Sequence, residues 1–599
     1  MIILCGIFYK SNFYTPTNRS LFIEACDLMN HRGPDDEGYL FLKNHSFGHK
    51  RLAIRGIETA KQPMSLLNDH LVYNGELYNV DELEKKLDHP LAFNSDTLLL
   101  LELLIQYREE ILKDLNGIFS FVYTHQDDVY IVRDMFGVKP LYYTMIHGDI
   151  MVSSEIKSIL EYKNERILNS EGVCELLGMG PSHSIGKTVY KGIYELPPGH
   201  YLTFGKDKPL TEHIYYELQA KEFDLTYEET VKKIRFLLDK AIQRQMISDV
   251  GISTFLSGGL DSSIISTIVA QHKDHLDTYS IQYEDSNFKE NHFERSNDND
   301  YTHLVSQAIG SNQHDIVIDN ESLVEGLKTA VRLRDAPGMT DIDSSMYFLA
   351  KAIKTGGSCS ASGECADEVF GGYPWFYEKT KKITCFPWIR NLDYKESLLN
   401  EKYKKKLNLK EYVTNEFKKA LDSTPVLTTD TKTTIKDRQL SYLNIKYFMT
   451  NLLDRKDRMT MGASLEVRVP FCDKNLVDFL YNVPFKYKYR SKVEKKLLRD
   501  AYDGTVIDAV IHRKKSPYPK SNSKAYHQAV VKLLEQVLED ENSILYELFD
   551  IEKIRVIMTS EDELDVPWYG QLMRKTAFLA YLYQIDYWFK TYKIKLEIE

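Results

Sequence analysis

Apolar positions in the first third of the chain fall in short runs. Residues 2–9, 71–73, 119–123 and 129–132 are rich in β-branched and aromatic side chains, which predicts strands. The last two runs flank Asp127-Asp128 and predict a hairpin. One longer apolar stretch, residues 96–112, predicts a helix. Strand-like runs continue from Ile131 to about Val152. The pattern predicts a sheet-rich α+β domain over residues 1–205 and a polar linker over residues 206–229.

The pattern changes after the linker. A helix is expected at 231–247, then strand 251–256, a glycine turn and helix 262–272. Strand 278–283, helix 301–309 and strand 314–318 follow. Strands alternating with helices predict a parallel sheet covered on both faces, an α/β domain over residues 230–599. The polar stretch 284–300 predicts a loop, and from about residue 377 the chain reads as mainly helical.

A length of 599 residues exceeds what one hydrophobic core usually holds, so more than one domain is expected. The net charge of −11, with no Lys/Arg block, argues against nucleic acid or an anionic membrane as partner. The seven cysteines show no zinc-type spacing and are too sparse for a disulfide framework, so a reducing, cytoplasmic compartment is expected. The apolar N-terminus lacks a basic region before it and makes a poor signal peptide.

Two clusters carry candidate chemistry in the second half. Ser257-Gly258-Gly259-Leu260-Asp261-Ser262-Ser263 follows an expected strand and opens a helix. Backbone N–H groups in such a turn cradle an anion, and the glycines allow close approach. No Gly-Lys-Ser ending is present, so this is not the loop of γ-phosphate chemistry. Asp261 beside phosphates implies a bridging Mg²⁺. About one hundred residues on, Ser362-Gly363-Glu364-Cys365-Ala366-Asp367-Glu368 follows another short strand-like run. In a doubly wound sheet the strand ends converge on one crevice, so Asp367 is expected to share the cation with Asp261. Arg468 and Lys515 are candidate counter-charges for pyrophosphate.

The first half holds candidates for an amino-acid amide substrate. Arg51 would bind a carboxylate, Asp96 an ammonium, and the Asn74-Gly75 pair an oxyanion. Cys5 is the candidate nucleophile. With a free α-amine, Cys5 would carry its own base; otherwise a cysteine in a buried strand is ordinarily a small core hydrophobe.

In order along the chain, the motifs from Cys5 to about Tyr518 resemble the class-II amidotransferases joined to a synthetase, specifically the asparagine synthetase B family. The resemblance implies an N-terminal-nucleophile hydrolase fold (four-layer αββα) followed by an adenine-nucleotide α-hydrolase fold, a Rossmann-like parallel sheet with a helical C-terminal part. It implies that Cys5 attacks glutamine, that Arg51, Asn74, Glu76 and Asp96 bind it, and that Asn74 and Gly75 stabilise the oxyanion. It assigns ATP to Leu256, Ser257, Gly258, Gly259, Asp261, Ser262, Ser263, Ile281, Ser362 and Gly363. It gives Mg²⁺ to Asp261 and Asp367, and catalytic roles to Glu364 and Lys515. The implied reaction takes ammonia from glutamine to an aspartyl-adenylate made from ATP. Its variants are another acceptor carboxylate, or free ammonia with a silent glutaminase. A homodimer is among the assemblies the resemblance admits. Three positions depart from the family pattern. Cys365 stands for a glycine, Leu98 for a common glutamate, and Cys5 is fifth instead of directly following the initiator methionine. Removal of residues 1–4, or translation starting at position 4, is therefore expected to free the Cys5 amine.

Overall fold

The computed structural model describes residues 2–11, 17–57, 59–206, 208–284, 298–377, 383–515, 521 and 523–598, with the backbone alone at 2–4. The expected loop at 284–300 lies almost wholly outside the described residues, as does Ser516-Pro517-Tyr518.

The first half is a sandwich of antiparallel strands between helices. Strand Ile2–Lys10 pairs along its length with His45–Ala53, and its second half pairs with Asp149–Ser153. The facing layer runs Asp69–Leu77, Gly117–His125, Asp128–Arg133, His200–Gly205. Phe8, Phe47, Val72, Val122, Ile131 and Leu202 fill the space between the layers. The alternation of two along a strand sends the intervening residues outward. Ile7 and Tyr9 pack with Phe22 and Cys26 of helix Arg19–Asp27 on one outer face. Leu71, Tyr73 and Phe121 pack with helix Asp96–Tyr107 on the other. The result is four layers, αββα.

Two sequence expectations change here. The helix expected to reach residue 112 ends at Tyr107. Arg108 turns left-handed, with φ of +53°, and its guanidinium donates to the Leu104 and Ile105 carbonyls, each at 2.9 Å. The chain continues as a 3₁₀ turn over Arg108–Asp114. The expected linker contains a strand, Lys208–Ile214, antiparallel to His200–Gly205. It is an edge strand with no buried face, so it shows no apolar alternation to read.

The second half is built on a parallel sheet in the order Asn312–Ile318, Asp277–Tyr283, Ile252–Phe255, Cys359–Ala361, Glu466–Arg468. Helix Tyr227–Gln245 leads into it behind a capping box of Thr226 and Glu229. Chain order reverses between Ile252–Phe255 and Cys359–Ala361. That reversal is the switch point where ligands bind in such sheets, outside the strand C-termini. Both glycine-bearing clusters leave from those two strand ends. Most of the chain beyond Pro374 is helical, with helix Met449–Met461 buried between the two halves.

Candidate active site

A cavity of about 280 Å³ opens at the switch point. Its walls include Leu256, Ser257, Gly259, Asp261, Ser262 and Ile281, together with Ser362, Gly363, Glu364 and Asp367. Eight of the ten residues expected to bind ATP thus meet in one place. Gly258 and Ser263 sit behind the wall. Gly258 has φ of +67°, and a Cβ there would lie 2.7 Å from the Thr302 amide nitrogen. Only glycine takes that turn cheaply. Gly363 brings the two loops into contact, since a Cβ on it would lie 2.7 Å from the Ser262 amide nitrogen.

The turn is braced by its own serine. The Ser262 hydroxyl accepts from the Ser257 amide at 3.1 Å and donates to the Gly259 carbonyl at 3.3 Å. Helix Leu260–Ala270 begins there without a side-chain cap, so its first amides and positive end face the cavity.

Charge at the floor is organised by a residue the sequence reading missed. Lys495 Nζ lies 2.6 Å from Asp261 Oδ2 and 2.5 Å from Asp367 Oδ1. Lys515 Nζ lies 2.7 Å from Asp367 Oδ2. Burial pushes the Asp367 carboxyl up, but the two ammonium groups outweigh it and hold Asp367 well below the ordinary range. Burial dominates at Asp261, whose carboxyl is raised. Its Oδ1 is buried with no hydrogen-bond partner among the described residues. Two carboxylates sharing one ammonium, with an oxygen to spare, are a donor set that would suit a divalent cation. Lys495 carries no motif and lies far along the chain, so only the fold shows its role.

Glu364 Oε1 accepts from Arg455 at 2.9 Å, and Glu364 Oε2 is buried without a hydrogen-bond partner. Arg455 stands on the cavity wall from helix Met449–Met461 and was also missed. Burial pushes the neighbouring Glu368 up to about 7, and the Tyr373 hydroxyl donates to it at 2.5 Å. Cys365, which stands where the family has glycine, is left-handed with φ of +75°, the conformation a glycine takes freely. Arg468, a candidate counter-charge, lies elsewhere. It is fully buried and paired with Glu466 at 2.9 Å and Glu76 at 2.7 Å.

The amide-substrate candidates divide. Gly75 approaches the neighbouring strand so closely that a Cβ would lie 2.1 Å from the Ile118 carbonyl oxygen. Asn74 is buried, and neither atom of its amide has a partner among the described residues. Arg51 donates to the Gly56 carbonyl at 2.9 Å and lies 3.6 Å from Asp36. Asp96 accepts from the Tyr73 hydroxyl at 3.3 Å, and burial raises its carboxyl. Cys5 is not among them: its thiol reaches the Met29 carbonyl at 3.5 Å on the helix side of its sheet.

Comparison with known proteins agrees with this division into two halves. The family model described as asparagine synthase matches residues 233–590, and that described as glutamine amidotransferase domain matches residues 4–216. The chain belongs to the asparagine synthase family. It resembles "Asparagine synthetase [glutamine-hydrolyzing] 3" of Bacillus subtilis, at 41% identity over 95% of this chain and 96% of that protein. "Asparagine synthetase [glutamine-hydrolyzing] 1" of the same organism is 30% identical over 86% of each chain. "Amidase chry2" of Gibberella zeae is 25% identical over 82% of this chain and 84% of that one. The protein is an ATP-using carbon–nitrogen ligase of this family, with an N-terminal-nucleophile-type sandwich followed by a nucleotide-binding parallel sheet. No helix among the described residues is long and apolar enough to cross a membrane.

Proposed function

We propose that the protein makes asparagine, activating aspartate as an acyl-adenylate in the switch-point cavity. The observation that carries this reading is the meeting of the Ser257–Ser263 turn with Glu364 and Asp367 around one cavity. With strand Lys208–Ile214 paired into the first sheet, residues 1–214 form the amidotransferase domain on this reading, 215–229 the connection and 230–599 the synthetase.

A free carboxylate is a poor acyl donor because oxide is a poor leaving group. An aspartate carboxylate oxygen attacks the α-phosphorus of ATP, and the bond to pyrophosphate breaks. The Ser257–Ser263 turn receives the pyrophosphate at its amides, with Lys495 and Lys515 supplying positive charge. Leu256 and Ile281 give the apolar wall for the nucleoside. Asp261 and Asp367 would hold Mg²⁺, which when bound neutralises phosphate charge. Ammonia then attacks the acyl carbon, the bond to AMP breaks, and the nitrogen sheds one proton. Glu364 Oε2 is the acceptor for that proton at the cavity wall.

Aspartate-dependent exchange of labelled pyrophosphate into ATP tests this reading. Exchange with aspartate supports it. Exchange that needs some other carboxylate would retain the chemistry and replace the acceptor. A cytoplasmic setting is supported by cysteines that are all free.

A further inference from the structure

An acidic amino acid brings two carboxylates into the cavity, and only one of them reacts. The reacting carboxylate must lie at the α-phosphorus, beside the turn at 257–263. The other stands two carbons further along the acceptor and keeps its charge, so it needs a cation of its own. Six basic side chains line the cavity: Arg455, Lys495, Arg499, Arg513, Lys514 and Lys515. Five of them belong to residues 495–515, and their contacts lie at the phosphate end or within that segment. Lys495 and Lys515 hold Asp261 and Asp367. Arg513 donates to the Gly258 carbonyl, in the turn itself, at 2.8 Å. Arg499 pairs with Glu494 at 2.7 Å, and Lys514 is exposed.

Arg455 comes from elsewhere. Phe448, Leu452 and Arg455 recur at intervals of four and three residues where the chain is helical, so they share one face, and all three line the cavity. The Arg455 side chain is 6% exposed. Its Nη1 lies 3.9 Å from the thioether of Met339, and its Nη2 donates to Glu364 Oε1 at 2.9 Å. That second contact fixes where the charge stands. It is beside the proton acceptor of the ammonia step, and so beside the acyl carbon. A guanidinium presents five N–H donors in a planar fork, enough to serve Glu364 and a second carboxylate together. Set in a wall with Phe448, Leu452 and Met339, it also discriminates, because an acceptor lacking the second carboxylate forfeits a charge-assisted contact that water replaces poorly there.

We infer that Arg455 reads the acceptor: it binds the α-carboxylate of the amino acid whose side-chain carboxylate is activated. The inference rests on the adenylate reading above and adds to it the residue that selects a dicarboxylic amino acid over a simple monocarboxylate.

An arginine so placed has another role open to it, as the counter-ion that positions Glu364. Pyrophosphate exchange separates the two, because exchange precedes the ammonia step in which Glu364 acts. Exchange is measured with aspartate and with 3-aminopropanoate, which keeps the amine and the reacting carboxylate and lacks the α-carboxylate. The wild type should prefer aspartate in kcat/KM by about 10–10²-fold. Arg455→Met should lower exchange with aspartate by about the same factor, chiefly through KM, and leave exchange with 3-aminopropanoate close to wild type, erasing the preference. Arg455→Lys keeps a charge beside Glu364 and loses the planar fork, so its preference should fall between the two. It carries the same test where the methionine variant does not fold. A folded Arg455→Met that keeps the wild-type preference, or that loses exchange with both acceptors alike, would overturn the assignment. Binding is read apart from chemistry as the shift in melting temperature that each acceptor gives in the presence of a non-hydrolysable ATP analogue. A shift with aspartate that Arg455→Met loses supports the assignment even where no exchange is seen, and the adenylate reading then fails alone. No shift with aspartate in the wild type would overturn the assignment.

Discussion

Replacing Lys495 by methionine isolates what that one cation does. Its ammonium sits between Asp261 and Asp367, itself 4% exposed, while each carboxylate is 21% exposed. Removing one member of a buried charge pair costs roughly 3–5 kcal/mol. Water reaches both carboxylates, so part is recovered and about 2–3 kcal/mol is expected. At about 2 °C per kcal/mol for a large domain, the melting temperature should fall by roughly 4–6 °C. Two carboxylates left without their ammonium form a stronger cation site. Magnesium should therefore restore part of the loss, shifting the variant more than the wild type. Differential scanning calorimetry with chelator and with magnesium reads both effects, and pyrophosphate release should fall by about 10²–10³. A variant that melts with wild type in chelator and shows the same magnesium shift would refute the bridging role of Lys495 and the cation site built on it.

Asp261→Ala should abolish asparagine formation with ammonium, since it removes the carboxylate oxygen left free for a cation; near-normal synthesis would sink that assignment. Glu364→Gln should leave ATP affinity and aspartate-dependent pyrophosphate exchange close to wild type and stop asparagine formation with ammonium, measured on the same preparation; wild-type asparagine formation would take Glu364 out of the ammonia step. Glu368 is raised from the ordinary 4.5 to about 7 by burial, with Asp367 adding to it. The folded state therefore holds the proton more tightly, and stability from this group falls as pH rises from about 4.5 to about 7, then levels. Glu368→Gln removes that slope, so its stability relative to wild type, from urea melts, should grow across the window; a constant difference would contradict the cause given.

Much of this was legible in the sequence for physical reasons. The strands at Ile252–Phe255 and Asp277–Tyr283 were legible because each is a short stretch rich in β-branched and aromatic residues. The two glycine-bearing loops were legible because close approach leaves few residue choices, as at Gly258 and Gly363. Lys495 and Arg455 were not legible: each lies among other charges, and only tertiary structure brings it to the cavity. Arg468 misled for the converse reason. Its neighbourhood reads as a motif, but its partners are Glu466 and Glu76. The register of the first strand was not legible either: Cys5 pairs with Lys50, and its thiol lies on the helix side of the sheet. Register is a property of pairing between strands, and one strand read alone does not show it.

The central claim is that aspartate is activated through a bond to the α-phosphorus of ATP at the switch-point cavity. Aspartate labelled with heavy oxygen in its side-chain carboxylate, incubated with ATP, magnesium and ammonium, tests this most directly. Mass spectrometry of the products should find one heavy oxygen transferred to AMP and one retained in asparagine. Heavy oxygen in inorganic phosphate together with ADP, or none in AMP, would contradict the account.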